Sequence, residues 1–147
     1  MEARNGSEPE DDVLLGAVRW AMAISVRAAD QLGDVSPVQL RALTVLQETP
    51  GANLNDLASG MGVTVSTTSR LVDRLVAAGL VERQPSALTR REISLTLTRA
   101  GHGRLQRYDR LRLAEARACL DAVPLADRDA VVTALQQLVA GAVPATD

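Results

Sequence analysis

The sequence predicts a mainly α-helical fold that carries one small β-hairpin, and three observations predict it. Apolar residues recur at spacings of three and four in six separate segments. Three of those segments open on a side chain suited to capping a helix: Ser36, Asn53 and Thr64. Only residues 80–97 replace the helical rhythm with two short extended runs around a Pro-Ser turn.

In chain order, residues 1–11 are acidic and polar with little to bury, and read as a disordered tail. Residues 12–147 read as one domain, long enough to form a core without disulfides or metals. The first helix places Leu14, Ala17, Ala21, Ile24 and Ala28 on one stripe, behind acidic residues that suit its positive N-terminal end. The second starts with Ser36 as N-cap, Pro37 at the first helical position and Gln39 completing a capping box; Leu40, Leu43 and Leu46 form its apolar side. Asn53 and Asp56 open a short third helix, with Leu57, Ala58 and Met61 as core contacts and Gly62 as its stop. Thr64 caps a fourth, whose buried stripe is expected to be Val65, Thr68, Leu71, Val72 and Leu75, with Gly79 as the left-handed residue past its end. Thr68 belongs in that stripe if its methyl packs inward and its hydroxyl bonds the carbonyl four residues back. Leu80 and Val81 begin the hairpin, Arg90 and Arg91 give it a basic tip, and Ile93, Leu95 and Leu97 return. Leu105, Tyr108, Leu111 and Cys119 mark a fifth helix, and Pro124 stands near the start of a sixth.

Composition removes several function classes. One cysteine and one histidine exclude a disulfide framework and a multi-cysteine metal site, so no metal or cofactor is expected. No nucleophile pairs with a base and no glycine-rich loop suits phosphates, so the chain is not expected to be an enzyme. With no long apolar run and no signal-like N-terminus, the expected location is the cytoplasm, away from membranes. Cys119 reads as a small buried hydrophobe and His102 as an exposed or capping residue at the start of the fifth helix.

The net charge of −2 conceals a basic segment: residues 62–117 hold eleven arginines against five acids, and the chain contains no lysine. Within it lies VTVSTTSRLVDRL, residues 63–75, which opens a helix with β-branched and hydroxyl residues that are mediocre helix formers. At 100° per residue, Ser66, Arg70, Asp73 and Arg74 face away from the stripe, with Thr67 and Ser69 on the flanks. A short capped helix, a glycine turn, a second helix with a slim polar face and then a basic hairpin is the layout of a winged helix-turn-helix. In that geometry the second helix enters the major groove by its N-terminal end, where short hydroxyls reach phosphates or base edges.

These residues resemble a known family. LNDLASGMGV, TSRLVDRLVAAGLVER and RREISLTLTRAG, in that order, are similar to the MarR family of bacterial transcriptional regulators, and the likeness covers nearly the whole chain. The resemblance implies a homodimeric winged helix-turn-helix protein of six helices. Its DNA-binding lobe would span about 36–100, and its dimerisation helices 12–34 and 101–143. It implies a sequence-specific repressor on a double-stranded, pseudo-palindromic operator, relieved by a small-molecule effector. Carried over by position, Ser66, Thr67, Ser69 and Arg70 approach bases and phosphates, Arg74 the backbone, and Arg91, beside Arg90, the minor groove. Two positions depart from the pattern: Thr68 stands where Val is common, and Thr89 where an Asp usually orients the wing arginine. Asp73 is expected to pair with Arg70, Arg74 or the wing arginines rather than to read bases. The alternatives are a repressor regulated by oxidation of Cys119, and a winged-helix protein-interaction module without DNA binding.

Overall fold

The computed structural model describes residues 9–85 and 92–142. Their elements run α1 (Pro9–Leu32), α2 (Pro37–Glu48), α3 (Leu54–Met61), α4 (Val65–Ala77), β1 (Val81–Pro85), β2 (Ile93–Leu97), α5 (Arg99–Asp121), a 3₁₀ turn (Leu125–Asp127) and α6 (Arg128–Ala142). Helices dominate and the two strands pair antiparallel, so the expected fold class is the observed one. The chain divides into two compact units, Met1–Arg112 and Leu113–Asp147. Helix α1 starts earlier than expected: residues 9–11, assigned to the acidic tail, form its first turn, where Glu10, Asp11 and Asp12 meet the positive end of the helix dipole. Residues 1–8 lie outside the described residues.

The local chemistry of the caps holds the helix starts of the first unit. Ser36 and Gln39 form a reciprocal capping box at α2, and Asn53 and Asp56 form another at α3. Gly62 ends α3 at φ 68°, a conformation that carries no steric cost only for glycine. Gly79 takes φ 70°, which lets the Leu80 N–H reach back to the Leu75 carbonyl at 2.9 Å and closes α4.

The core of this unit draws on the C-terminal part of α1, on α2, α3, α4, both strands and the first turns of α5: Leu40, Leu43, Leu57, Val72, Leu75 and Leu105 are essentially inaccessible, and packing is aliphatic apart from Tyr108. Tyr108 is buried and donates its hydroxyl to the Ser25 carbonyl at 3.2 Å, tying α5 to α1. The Arg112 guanidinium lies 4.3 Å above the Tyr108 ring centre and pairs with Asp109. The sheet register sets Val81 opposite Leu97 and Arg83 opposite Leu95, and the Leu95 N–H donates to the Ala52 carbonyl at 2.8 Å. The base of the hairpin is thereby joined to the loop that precedes α3.

Thr68 is fully buried and its hydroxyl donates to the Thr64 carbonyl at 3.0 Å. That carbonyl also receives the Thr68 N–H at 3.0 Å, so it keeps a partner when the hydroxyl is removed. Thr68→Val is therefore expected to leave stability within about 1 kcal/mol of wild type, read from the midpoint of urea unfolding. A loss above about 2 kcal/mol would show that the hydroxyl is structurally required.

Several expected core positions are exposed. Leu14, Ala17 and Ala21 of α1 face solvent, and burial begins at Ile24, because only the C-terminal part of α1 meets α2 and Tyr108. Val65 is 44% exposed: it occupies the first helical position, beyond the last turn of α4 that the core covers. Ile93 is exposed at the outer end of β2, while Leu95 and Leu97 are buried as the alternation expects. Cys119, read as a buried hydrophobe, is exposed. In the second unit, the Arg128 side chain bonds the Asp121 carboxylate and the Val123 carbonyl across the 3₁₀ turn, holding the start of α6. No helix among the described residues is long and apolar enough to cross a membrane.

Candidate nucleic-acid interface

Helix α4 owes its polar face to the way it is capped. The Thr64 hydroxyl accepts the Thr67 N–H at 3.3 Å and donates to the Thr67 hydroxyl at 3.0 Å, so the helix begins without a bulky side chain over its N-terminal turn. Its inward side is Thr68, Leu71, Val72 and Leu75, all buried. Of the residues expected to meet DNA, Ser66, Thr67, Arg70 and Arg74 are exposed and Ser69 is half-buried. The structure thus brings these five onto one surface of one helix. Arg90 and Arg91 lie outside the described residues, as does Thr89.

Asp73 stands on the same surface, and its partner settles the local electrostatics. Arg83 of β1 donates to Asp73 Oδ1 at 2.6 Å. Arg70 and Arg74 form no ion pair with another described residue, so the carboxylate is held by the strand and the two helix arginines remain available. Sequence reasoning expected a pairing for Asp73 but assigned no role to Arg83, although it ends the LVER stretch; the contact spans ten residues and two elements, beyond the reach of helical periodicity. Both side chains are well exposed, and in water such a pair contributes at most about 1 kcal/mol. Its effect is on the charge that α4 presents.

Between α2 and α4 a groove of about 280 Å³ has an apolar floor of Val38, Met61, Val63 and Leu71, with Thr67, Arg70 and Arg74 on its wall. Arg41 of α2 donates to the Gly60 carbonyl at 3.2 Å and fixes α3 beside it. No cluster of three or more metal-ligating side chains occurs among the described residues.

A helix with a slim hydroxyl end, two guanidinium groups that pair with no acid among the described residues, and a preceding capped helix and glycine turn is what a duplex groove admits, and comparison with known proteins agrees with that architecture. Residues 33–92, which run from before α2 into the hairpin, match the MarR family. An uncharacterised HTH-type transcriptional regulator of Bacillus subtilis, YfiV, is 32% identical over 87 residues; the match covers 54% of this chain and 54% of that protein, so the chain spans about half the length of this curated relative. The crystal structure of RV1404 from Mycobacterium tuberculosis superposes with a TM-score of 0.79 at 31% identity, covering 97% of this chain and 99% of that one. A MepR mutant of S. aureus bound to an oligodeoxyribonucleotide has the same fold, with a TM-score of 0.67 at 17% identity over 92% of this chain and 99% of that chain. With the capped α3, the glycine turn, the polar-faced α4 and the two-stranded wing all in place, the chain belongs to the MarR family of winged helix-turn-helix transcriptional regulators.

Proposed function

We propose that the chain is a homodimeric transcriptional repressor that binds a pseudo-palindromic DNA operator through α4 and releases it when a small molecule binds. The observation that carries this reading is the outward face of α4: Ser66, Thr67, Ser69, Arg70 and Arg74 share it, and Asp73, its one carboxylate, is already engaged by Arg83. The face offers donors that suit phosphate oxygens and guanine edges without a net opposing charge. MepR is bound to DNA with this fold, which supports the same use here. Arg90 and Arg91 are proposed as the wing contacts to the minor groove.

Two further features support the finer parts of the reading. Helix α1 exposes Val13, Leu15 and Val18, and helix α6, taken by itself, exposes Leu135, Leu138 and Val139; a second copy of the chain is the proposed cover for each of these apolar faces. An open surface depression of about 490 Å³ at the junction of α1 and α2, lined by Ala29, Asp30, Asp34, Val35, Pro37 and Gln39 among others, is the proposed effector site. An effector there would bear on the entry into α2 and so on the spacing of two recognition helices, which must match half-sites roughly 34 Å apart.

The test is a gel shift of the full-length protein on DNA flanking its own gene, repeated at rising salt. Arg70→Ala is expected to weaken specific binding by about 1–3 kcal/mol, as loss of a bidentate base contact does. Arg74→Ala is expected to weaken all sequences alike and to lower the salt slope by about 1, as loss of a phosphate contact does. Wild-type affinity in both variants would exclude α4 as the reading helix.

A further inference from the structure

The helical rhythm assigns Val65 to the core, but the structure leaves it 44% exposed at the first position of α4. Helix stability does not account for the residue either. A β-branched side chain at an exposed helical position loses rotamer freedom, a cost that Ala does not incur and Glu incurs less, and Glu would also suit the helix dipole. Its neighbours in sequence, Thr64, Ser66 and Thr67, are hydroxyl residues, and the core that buries Thr68 and Val72 on the same side of α4 does not reach it. A lone exposed valine is ordinary on a protein surface; this one sits at the end of the helix that meets base edges in a helix-turn-helix complex. In the major groove, the apolar feature that distinguishes one base is the 5-methyl group of thymine. Arg70, five residues on and paired with no acid among the described residues, supplies the charge that holds a polyanion against this end of the helix.

We propose that Val65 is a base-reading residue that selects thymine by contact between its γ-methyl groups and the thymine 5-methyl group. The inference rests on the reading of α4 as the helix that enters the major groove. It divides the labour on that helix: Ser66 and Arg70 engage polar edges and phosphates, and Val65 supplies apolar discrimination on the flank it shares with Ser69.

The experiment uses the full-length protein and a half-site recovered from random duplexes by in vitro selection, and then replaces each thymine by uracil, which removes only the methyl group. Wild type is expected to show one thymine per half-site whose replacement weakens binding about fourfold, the change equivalent to ~0.8 kcal/mol for one buried methyl. Val65→Ala should lose that sensitivity at that position alone, Val65→Thr should retain part of it, and Val63→Ala should leave it intact. A selected half-site without thymine, a flat uracil scan in wild type, or an unchanged scan in Val65→Ala overturns the inference, while DNA reading by α4 still stands on the Arg70→Ala result. If wild type selects no sequence, the underlying reading fails and this inference with it.

Discussion

Gly101→Ala is expected to lower the unfolding free energy by about 2–3 kcal/mol, whereas Gly103→Ala, two residues further along α5, is expected to leave it unchanged or raise it by up to about 1 kcal/mol. Helix propensity alone gives both substitutions the same favourable sign, because alanine exceeds glycine by about 1 kcal/mol in a helix. Packing separates them. A Cβ at Gly101 would lie 2.1 Å from the backbone oxygen of Leu80, while one at Gly103 would meet nothing within 4 Å. The Leu80 oxygen cannot rotate aside, since it accepts the Thr98 N–H at 3.1 Å. Thr98 itself accepts the Gly101 N–H at 3.1 Å and donates to the Gly79 carbonyl at 2.6 Å, so the first turn of α5 is docked on the chain entering β1 by one side chain and one bare backbone. Relieving the overlap means moving α5 away from the wing and breaking these bonds. For a chain of this length the loss corresponds to a fall in Tm of roughly 10 °C, and thermal melts of the two variants would show it. Equal melting temperatures for the two alanine variants would refute the packing argument.

That contact explains why LTRAG, residues 97–101, follows the hairpin, and it shows where sequence reasoning reached and where it stopped. The caps at Ser36, Asn53 and Thr64 and the left-handed Gly79 were legible because each is decided within three to five residues, by which side chain can reach which free N–H or carbonyl. The Thr68 back-bond was legible for the same reason. The exposed position of Val65 was not, since periodicity states which residues share a face and says nothing of how far along the helix the core extends. The same limit applies to Leu14, Ala17 and Ala21 in α1. Contacts that join distant elements, Asp73 with Arg83, Leu95 with Ala52 and Gly101 against Leu80, depend on a fold that no local window contains. Of the proposed DNA-contacting residues, the five on α4 were assigned by resemblance, and the helical wheel agreed in turning Ser66, Arg70 and Arg74 away from the core with Thr67 and Ser69 on the flanks. Arg90 and Arg91 were assigned by resemblance and lie outside the described residues.

The largest effect on function is expected from α6 rather than from the surface that would touch DNA. Leu135→Glu combined with Val139→Glu places two carboxylates on the strip formed by Val132, Leu135, Gln136, Val139 and Ala140. Both side chains are exposed in the single chain, at 45% and 66%, so the substitutions empty no core and α6 should remain helical. If a second copy covers this strip, each carboxylate would be desolvated in an apolar contact, and an unpaired buried charge costs several kcal/mol. The double variant is therefore expected to sediment as a monomer at micromolar concentration while wild type sediments as a dimer. A monomer engages one half-site, and losing the linked second contact removes an advantage of roughly 10²–10⁴ in affinity for the full operator without altering any residue of α4. The variant should still bind an isolated half-site as wild type does, which separates lost dimerisation from a damaged reading head. Dimeric sedimentation and wild-type operator affinity in the double variant would show that α6 is not the joining surface. A monomeric wild type would remove the two-half-site mechanism altogether.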